Sequence, residues 1–242
     1  MLNLLRAERM KLKRSPVWLA FFLMPVLPAV LGTLNYLNNL ELLKDEWYSL
    51  WTQHTLFTCY FFMPATVGVY CAYIMRIEHQ NHNWNKVLSM PYNRADVFLA
   101  KLLTVFGVLF FTEAWIGILY VASGYAVGFA QPPLGDLVRW CLLGTLGGGV
   151  MAAVQLLISM YMKSFAAAVG VAFAGGLSGL FFLAKNLGHI WPYSLMAYGM
   201  NSNAKQQLTG AGYAGFALLA AAYIALATGA GVVLVRRKDI AA

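Results

Sequence analysis

Six long apolar runs divide this chain, at roughly residues 17–34, 56–73, 102–121, 137–160, 166–184 and 213–235. A hydrocarbon core of ~30 Å is crossed by about 20 helical residues, so each run is long enough to span a bilayer. A backbone inside lipid must satisfy its own hydrogen bonds, which makes every run a helix. The second and third runs are separated by a polar island, residues 76–101. A second interval, residues 185–209, is too apolar for a free loop and too interrupted to span. It predicts a short segment lying at, or re-entering, the outer membrane face. The pattern gives an all-α membrane protein with six transmembrane helices in one domain, 1–242, which opens with a charged interfacial lead-in at 1–15.

Composition agrees with that pattern. The 242 residues are 60% hydrophobic and 11% charged, against about 25% charged in soluble domains. The net charge of +8 would suit a nucleic-acid binder if it lay on a soluble surface, but the basic residues flank apolar runs, so it reads as topogenic charge. With the N-terminus inside, 13 Lys and Arg fall on the inner side and 4 on the outer. The positive-inside rule then places both termini and the polar island of this multi-pass protein in the cytoplasm. Arg6, Arg9, Lys11, Lys13 and Arg14 precede the first run without a small-x-small cleavage site, as in an uncleaved first span. Cys59, Cys71 and Cys141 lie in or beside apolar runs and lack metal or disulfide spacing. Pro25, Pro28 and Pro64 should kink the first two spans. Gly144-x-x-x-Gly148 and Gly175-x-x-x-Gly179 suit close helix packing, and the Gly144–Gly149 run lacks the Gly-Lys-Ser/Thr of a phosphate loop.

Five segments have the chemistry to carry function. The lead-in places Leu2, Leu5 and Leu12 on one face of a helix that can lie at the inner surface. In the island, Ile77, Trp84 and Leu88 share a helical face, Pro91 ends that helix, and Asp96 can cap the next one. The expected product is a cytoplasmic helix, 77–90, with an exposed tryptophan suited to docking a partner. His79 and His82 are spaced for joint metal ligation, but no carboxylate or thiol cluster completes a site, so no metal is expected. Glu113 lies mid-span, where a charge costs about 2.5–3.5 kcal/mol, and is a candidate for a substrate pathway or a helix interface. The outer interval 35–53 carries Glu41, Asp45 and Glu46 against Lys44, net −2, beside Trp47, Tyr48 and Trp51, as in an aromatic belt. Trp191, Pro192 and Tyr193 are the candidate outer-face residues of the last apolar interval.

The stretch Glu78-(x)5-Trp84-x-Lys86-Val-Leu-Ser89-Met-Pro91-Tyr-x-Arg94-(x)6-Lys101 resembles a pattern of type-2 ABC exporter permeases. That pattern is an acidic residue, a Leu-Leu-Ser-x-Pro-x-x-Arg turn, and a lysine entering the third span. The lead-in around Glu8 and the Trp191-Pro192-Tyr193-Ser194 region are similar to other parts of the family, whereas Asn83 departs from the glycine usual there. The size and the absence of extra domains look most like the lantibiotic-immunity branch, which implies a place in the bacterial plasma membrane and protection of a cell against bacteriocins. The resemblance implies an ATPase-coupling role for Glu78, Trp84, Lys86, Pro91 and Arg94. It also implies partners: two copies of an ABC ATP-binding subunit, which would hold ATP and Mg, and a second permease of the same or a sister chain, all surrounded by membrane lipid. This chain shows no Walker A motif, so no cofactor is expected on it and no enzyme activity of its own. The alternatives are an exporter of the same fold for a lipid, polysaccharide or drug, and a non-ABC membrane transporter or membrane enzyme. Against an enzyme, the sequence lacks HExxH, paired intramembrane carboxylates and a Ser/His/Asp set, and no catalytic residue is assigned.

Overall fold

The computed structural model describes residues 1–80, 83–203, 208–210 and 212–237. Among them there is helix and no strand, and six helices are long and apolar enough to cross a membrane. The order is α1 (Leu2–Leu12), α2 (Val17–Leu23), α3 (Val26–Leu37), α4 (Glu46–Phe57), a π-helical turn (Thr58–Phe62), α5 (Met63–His79), α6 (Asn83–Ser89), α7 (Arg94–Val127), α8 (Leu134–Tyr161), α9 (Phe165–Ala184), α10 (Leu195–Gly199) and α11 (Gly212–Arg237). The second and fourth spans form the centre, with 67% and 61% of their apolar windows buried, against 22% for the spans built from α9 and α11.

The second span starts earlier than hydropathy predicts, running Glu46–His79, so the expected outer interval 35–53 shrinks to a short connection before α4. Its polar residues are absorbed by the helix. The hydroxyls of Thr55 and Thr58 donate to the carbonyls of Trp51 and His54, four residues back. Asn35 donates to Gln53 at 2.6 Å, and Thr33 Oγ1 lies 2.9 Å from His54 Nε2, binding α3 to α4. Trp47 and Trp51 accordingly face the core instead of forming a lipid-facing belt: Trp51 stacks on Trp140 with centroids 5.2 Å apart and donates to the Met200 carbonyl at 2.7 Å.

Proline acts in three ways. Pro25 separates α2 from α3, Pro28 is accommodated in the first turn of α3, and Pro64 follows the π turn, which removes the carbonyl clash a proline brings to a regular helix. There α9 comes in close: a Cβ added to Gly176 would lie 2.4 Å from Pro64 Cγ and 2.7 Å from the Tyr60 carbonyl oxygen. α7 ends in a Schellman arrangement, with Gly128 at φ 100° and the Phe129 amide donating to the Gly124 carbonyl at 3.0 Å.

Candidate functional site

Four charged side chains meet where α1, α5 and α7 converge. Lys101, 0% exposed, donates to Glu78 Oε1 at 2.5 Å and to Glu8 Oε1 at 2.9 Å. Lys11 donates to Glu8 Oε1 at 2.7 Å and also pairs with Glu78. The joint therefore holds two carboxylates and two ammonium groups. Glu78 sits at the negative end of the α5 dipole, so it depends on these cations for compensation. Burial by itself would lower the Lys11 pKa, but the two carboxylates outweigh it and the net shift is upward. The apolar lid of the joint is Leu4, Val97 and Ala100, with Leu5 and Val87 packed against them.

This arrangement revises the reading of the lead-in and of the island. The buried stripe of α1 is Leu4, Glu8 and Leu12, while Leu2 is exposed, so α1 packs on α7 instead of presenting the Leu2–Leu5–Leu12 face. Glu8 was missed as a site residue. The available signal was its place four residues from both Leu4 and Leu12, as an acid on the buried stripe of a basic segment.

The expected helix 77–90 is broken: α5 stops at His79, Gln80 is extended at ψ 143°, and α6 begins at Asn83. Trp84 is not exposed. It is 1% accessible, edge-on to His79, with the Lys101 ammonium 5.9 Å from its ring centroid. The exposed apex is Lys86 together with residues 89–94, including Met90, Pro91, Tyr92 and Arg94. Arg94 also reaches back to the Val235 carbonyl at 3.3 Å, tying the root of α7 to α11. The cap of α7 is Asn93, whose side chain accepts from the Ala95 amide at 3.0 Å; Asp96 sits in the first turn, where its charge favours the dipole. His82 lies outside the described residues, so the His79/His82 pair is not placed.

Glu113, midway along α7, is 1% exposed, and neither carboxyl oxygen has a hydrogen-bond partner among the described residues. A Cβ at Gly144 of α8 would lie 3.4 Å from Glu113 Oε2, so that glycine leaves space for the carboxyl. Glu113 borders an apolar groove of about 440 Å³ between α7 and α8, whose lip is formed by the exposed Phe110, Ile118, Leu134, Val138 and Leu142.

A family model described as ABC-2 family transporter protein matches residues 4–179, well over half of the chain. The chain belongs to the ABC-2 transporter family. No curated protein matches it. It is thus a transmembrane subunit of an ABC transporter, a multi-pass permease whose family works with an ABC ATP-binding partner. The matched stretch contains the whole Glu8–Lys11–Glu78–Lys101 joint, the apex and Glu113.

In this permease the three residues expected at the outer face are tucked inward. Trp191 stacks on Phe182 with centroids 4.2 Å apart and donates to Ser178 Oγ at 3.0 Å. Pro192 is half-buried, and Tyr193 is buried with its hydroxyl donating to Gln155 Oε1 at 2.7 Å. Trp191 anchors this segment to α9 and Tyr193 anchors it to α8, and α10 follows close on α8, where a Cβ on Gly147 would lie 2.4 Å from the Leu195 carbonyl oxygen.

Proposed function

We propose that this permease expels an antimicrobial peptide of the lantibiotic or bacteriocin type from the membrane, in a complex of two permeases and two ATP-binding subunits that hold ATP and Mg. In this reading both termini and the α5–α7 corner are cytoplasmic, and the apex of Lys86 and residues 89–94 docks the ATPase. One observation carries the proposal: directly beneath the exposed apex, a buried four-charge joint binds α1, α5 and α7 into one body. Force applied to a flexible loop would be lost in local motion. Force applied to this corner moves three helices together, because separating any one of them leaves a buried charge uncompensated. Glu78, Trp84 and Lys101 fix the corner, while Lys86, Met90, Pro91 and Tyr92 are exposed to the partner, beside Arg94, which also holds the Val235 carbonyl. The peptide cargo rests on the resemblance in size and simplicity to immunity permeases. It also rests on the acidic connection before α4, where Glu41, Asp45 and Glu46 are exposed to a cationic peptide.

The test has two arms. The detergent-solubilised chain should bring down an ABC ATP-binding subunit, and Met90→Asp with Tyr92→Asp should abolish that pairing without lowering the melting temperature. Deleting the chain should sensitise cells to a cationic peptide bacteriocin. Retained pairing in the apex variant removes the docking role; unchanged sensitivity removes the cargo.

A further inference from the structure

The α7–α8 groove has the composition of a ligand site and lacks a ligand's complement. Its volume of about 440 Å³ falls within the ~300–1,000 Å³ usual for small-molecule pockets. The walls are mostly hydrocarbon, and their outer edge, Phe110, Ile118, Leu134, Val138 and Leu142, is exposed. At the floor lies one carboxyl group, buried and unpartnered. A buried carboxyl without hydrogen bonds costs several kcal/mol and persists where something compensates it part of the time. The titratable groups around Glu113 are Cys59, Tyr70 and Cys141, none of which is a cation, and among the described residues Glu113 forms no ion pair. Thr145 Oγ1, which lines the groove, donates its proton to the Cys141 carbonyl at 2.8 Å and keeps its lone pairs as acceptors. The floor therefore offers acceptors, and the rim offers apolar surface.

We propose that this groove binds one cationic amphiphile per chain, with its ammonium group on Glu113 and its apolar body between α7 and α8. The proposal rests on the exporter reading and identifies where cargo enters the permease from the bilayer. The carboxyl is now turned toward Gly144; its three rotatable bonds let it swing to the groove when a donor arrives. A neutral alkyl ligand would fill the walls and leave the carboxyl unpaired. A second copy of the chain would need to bring a cation to the same floor, and its exposed residues are not required for the ammonium contact.

The experiment uses the full chain with its ATP-binding partner in lipid nanodiscs and radiolabelled dodecylamine as the probe, with empty nanodiscs as background. Saturable binding of one probe per chain is expected, and Glu113→Gln should weaken it by about tenfold or more, the size of a lost charge-assisted hydrogen bond. Leu142→Trp fills the groove from its lip with Glu113 intact and should weaken binding to a similar extent. Labelled dodecanol should bind wild type no better than it binds Glu113→Gln. Wild-type affinity for dodecylamine in both variants overturns the proposal. So does a disulfide between two copies of Val138→Cys, which would make the groove a permease interface. Binding is also measured without ATP on the chain alone in nanodiscs, so a failed ATPase co-purification would refute the exporter reading and leave this result standing.

Discussion

Replacing Lys101 with methionine should be the most damaging single change in the joint. Lys101 is fully buried and is the cation shared by Glu78 and Glu8, at 2.5 and 2.9 Å. Its loss leaves two carboxylates, 0% and 6% exposed, with Lys11 as their remaining partner. Breaking a buried pair from one side costs about 3–5 kcal/mol, because the surviving charge stays out of water. Glu78→Leu should cost somewhat less, since Lys101 keeps Glu8. Lys11→Met should cost about 1 kcal/mol, because the Lys11 side chain is 23% exposed and water already screens it. The double replacement Glu78→Leu with Lys101→Met removes one charge of each sign and leaves the Glu8–Lys11 pair; it should recover to within about 1–2 kcal/mol of wild type. Reversible unfolding in mixed micelles gives all four free energies and closes a double-mutant cycle. The charge-joint argument is refuted if Lys101→Met costs under about 1 kcal/mol, or if the two single effects add within about 0.5 kcal/mol.

Three further outcomes follow from the packing. Trp84→Ala should destabilise the chain by about 3–5 kcal/mol in the same unfolding assay, with partial recovery in Trp84→Phe; a stability-neutral loss of ATPase binding would instead make Trp84 a contact residue. The apex variant of Met90→Asp and Tyr92→Asp should melt as wild type does, since both side chains are exposed, and lose the ATP-binding subunit in co-purification. Gly147→Val should cost about 3 kcal/mol or more, read as a lowered melting temperature, because its Cβ would meet the rigid Leu195 carbonyl at 2.4 Å.

How much was legible differs between the fold and the site, for physical reasons. Span number follows from apolar run length, and the six runs are the six membrane-length helices. Their ends moved because polar residues near a span are paired in three dimensions. Gln53, His54 and Thr55, each paired, carry the second span N-terminally past its polar edge at 56, and Lys101 is the eighth residue of a helix that hydropathy starts at 102. The family resemblance points to Glu78, Trp84 and Lys86 but says nothing of their orientation. A single helix over 77–90 would expose Trp84 as an anchor; the break at Gln80 re-aims it onto Lys101. The Glu8–Lys101 contact joins residues 93 positions apart, beyond the reach of any periodicity argument.

The joint and the Glu113 groove lie on the same helix, and that gives the two proposals a common test. Lys101 and Glu113 are twelve residues apart on α7, about 18 Å at 1.5 Å per residue, with no proline between Arg94 and Val127 to bend it. α8 contributes nothing to the joint, so a push on the corner displaces α7 against α8 and changes the width of the groove between them. Fixing the two helices to each other should then uncouple the ends. A Cβ on Gly117 would lie 3.4 Å from Cys141 Sγ, which puts Gly117→Cys within reach of the native thiol. Under oxidation that variant should keep its ATP-binding partner and its ATPase activity but lose efflux of a cationic amphiphile from proteoliposomes, and a reducing agent should restore efflux. Undiminished efflux with the cross-link complete would show that α7 and α8 need not separate, and the mechanical link between corner and groove would fall.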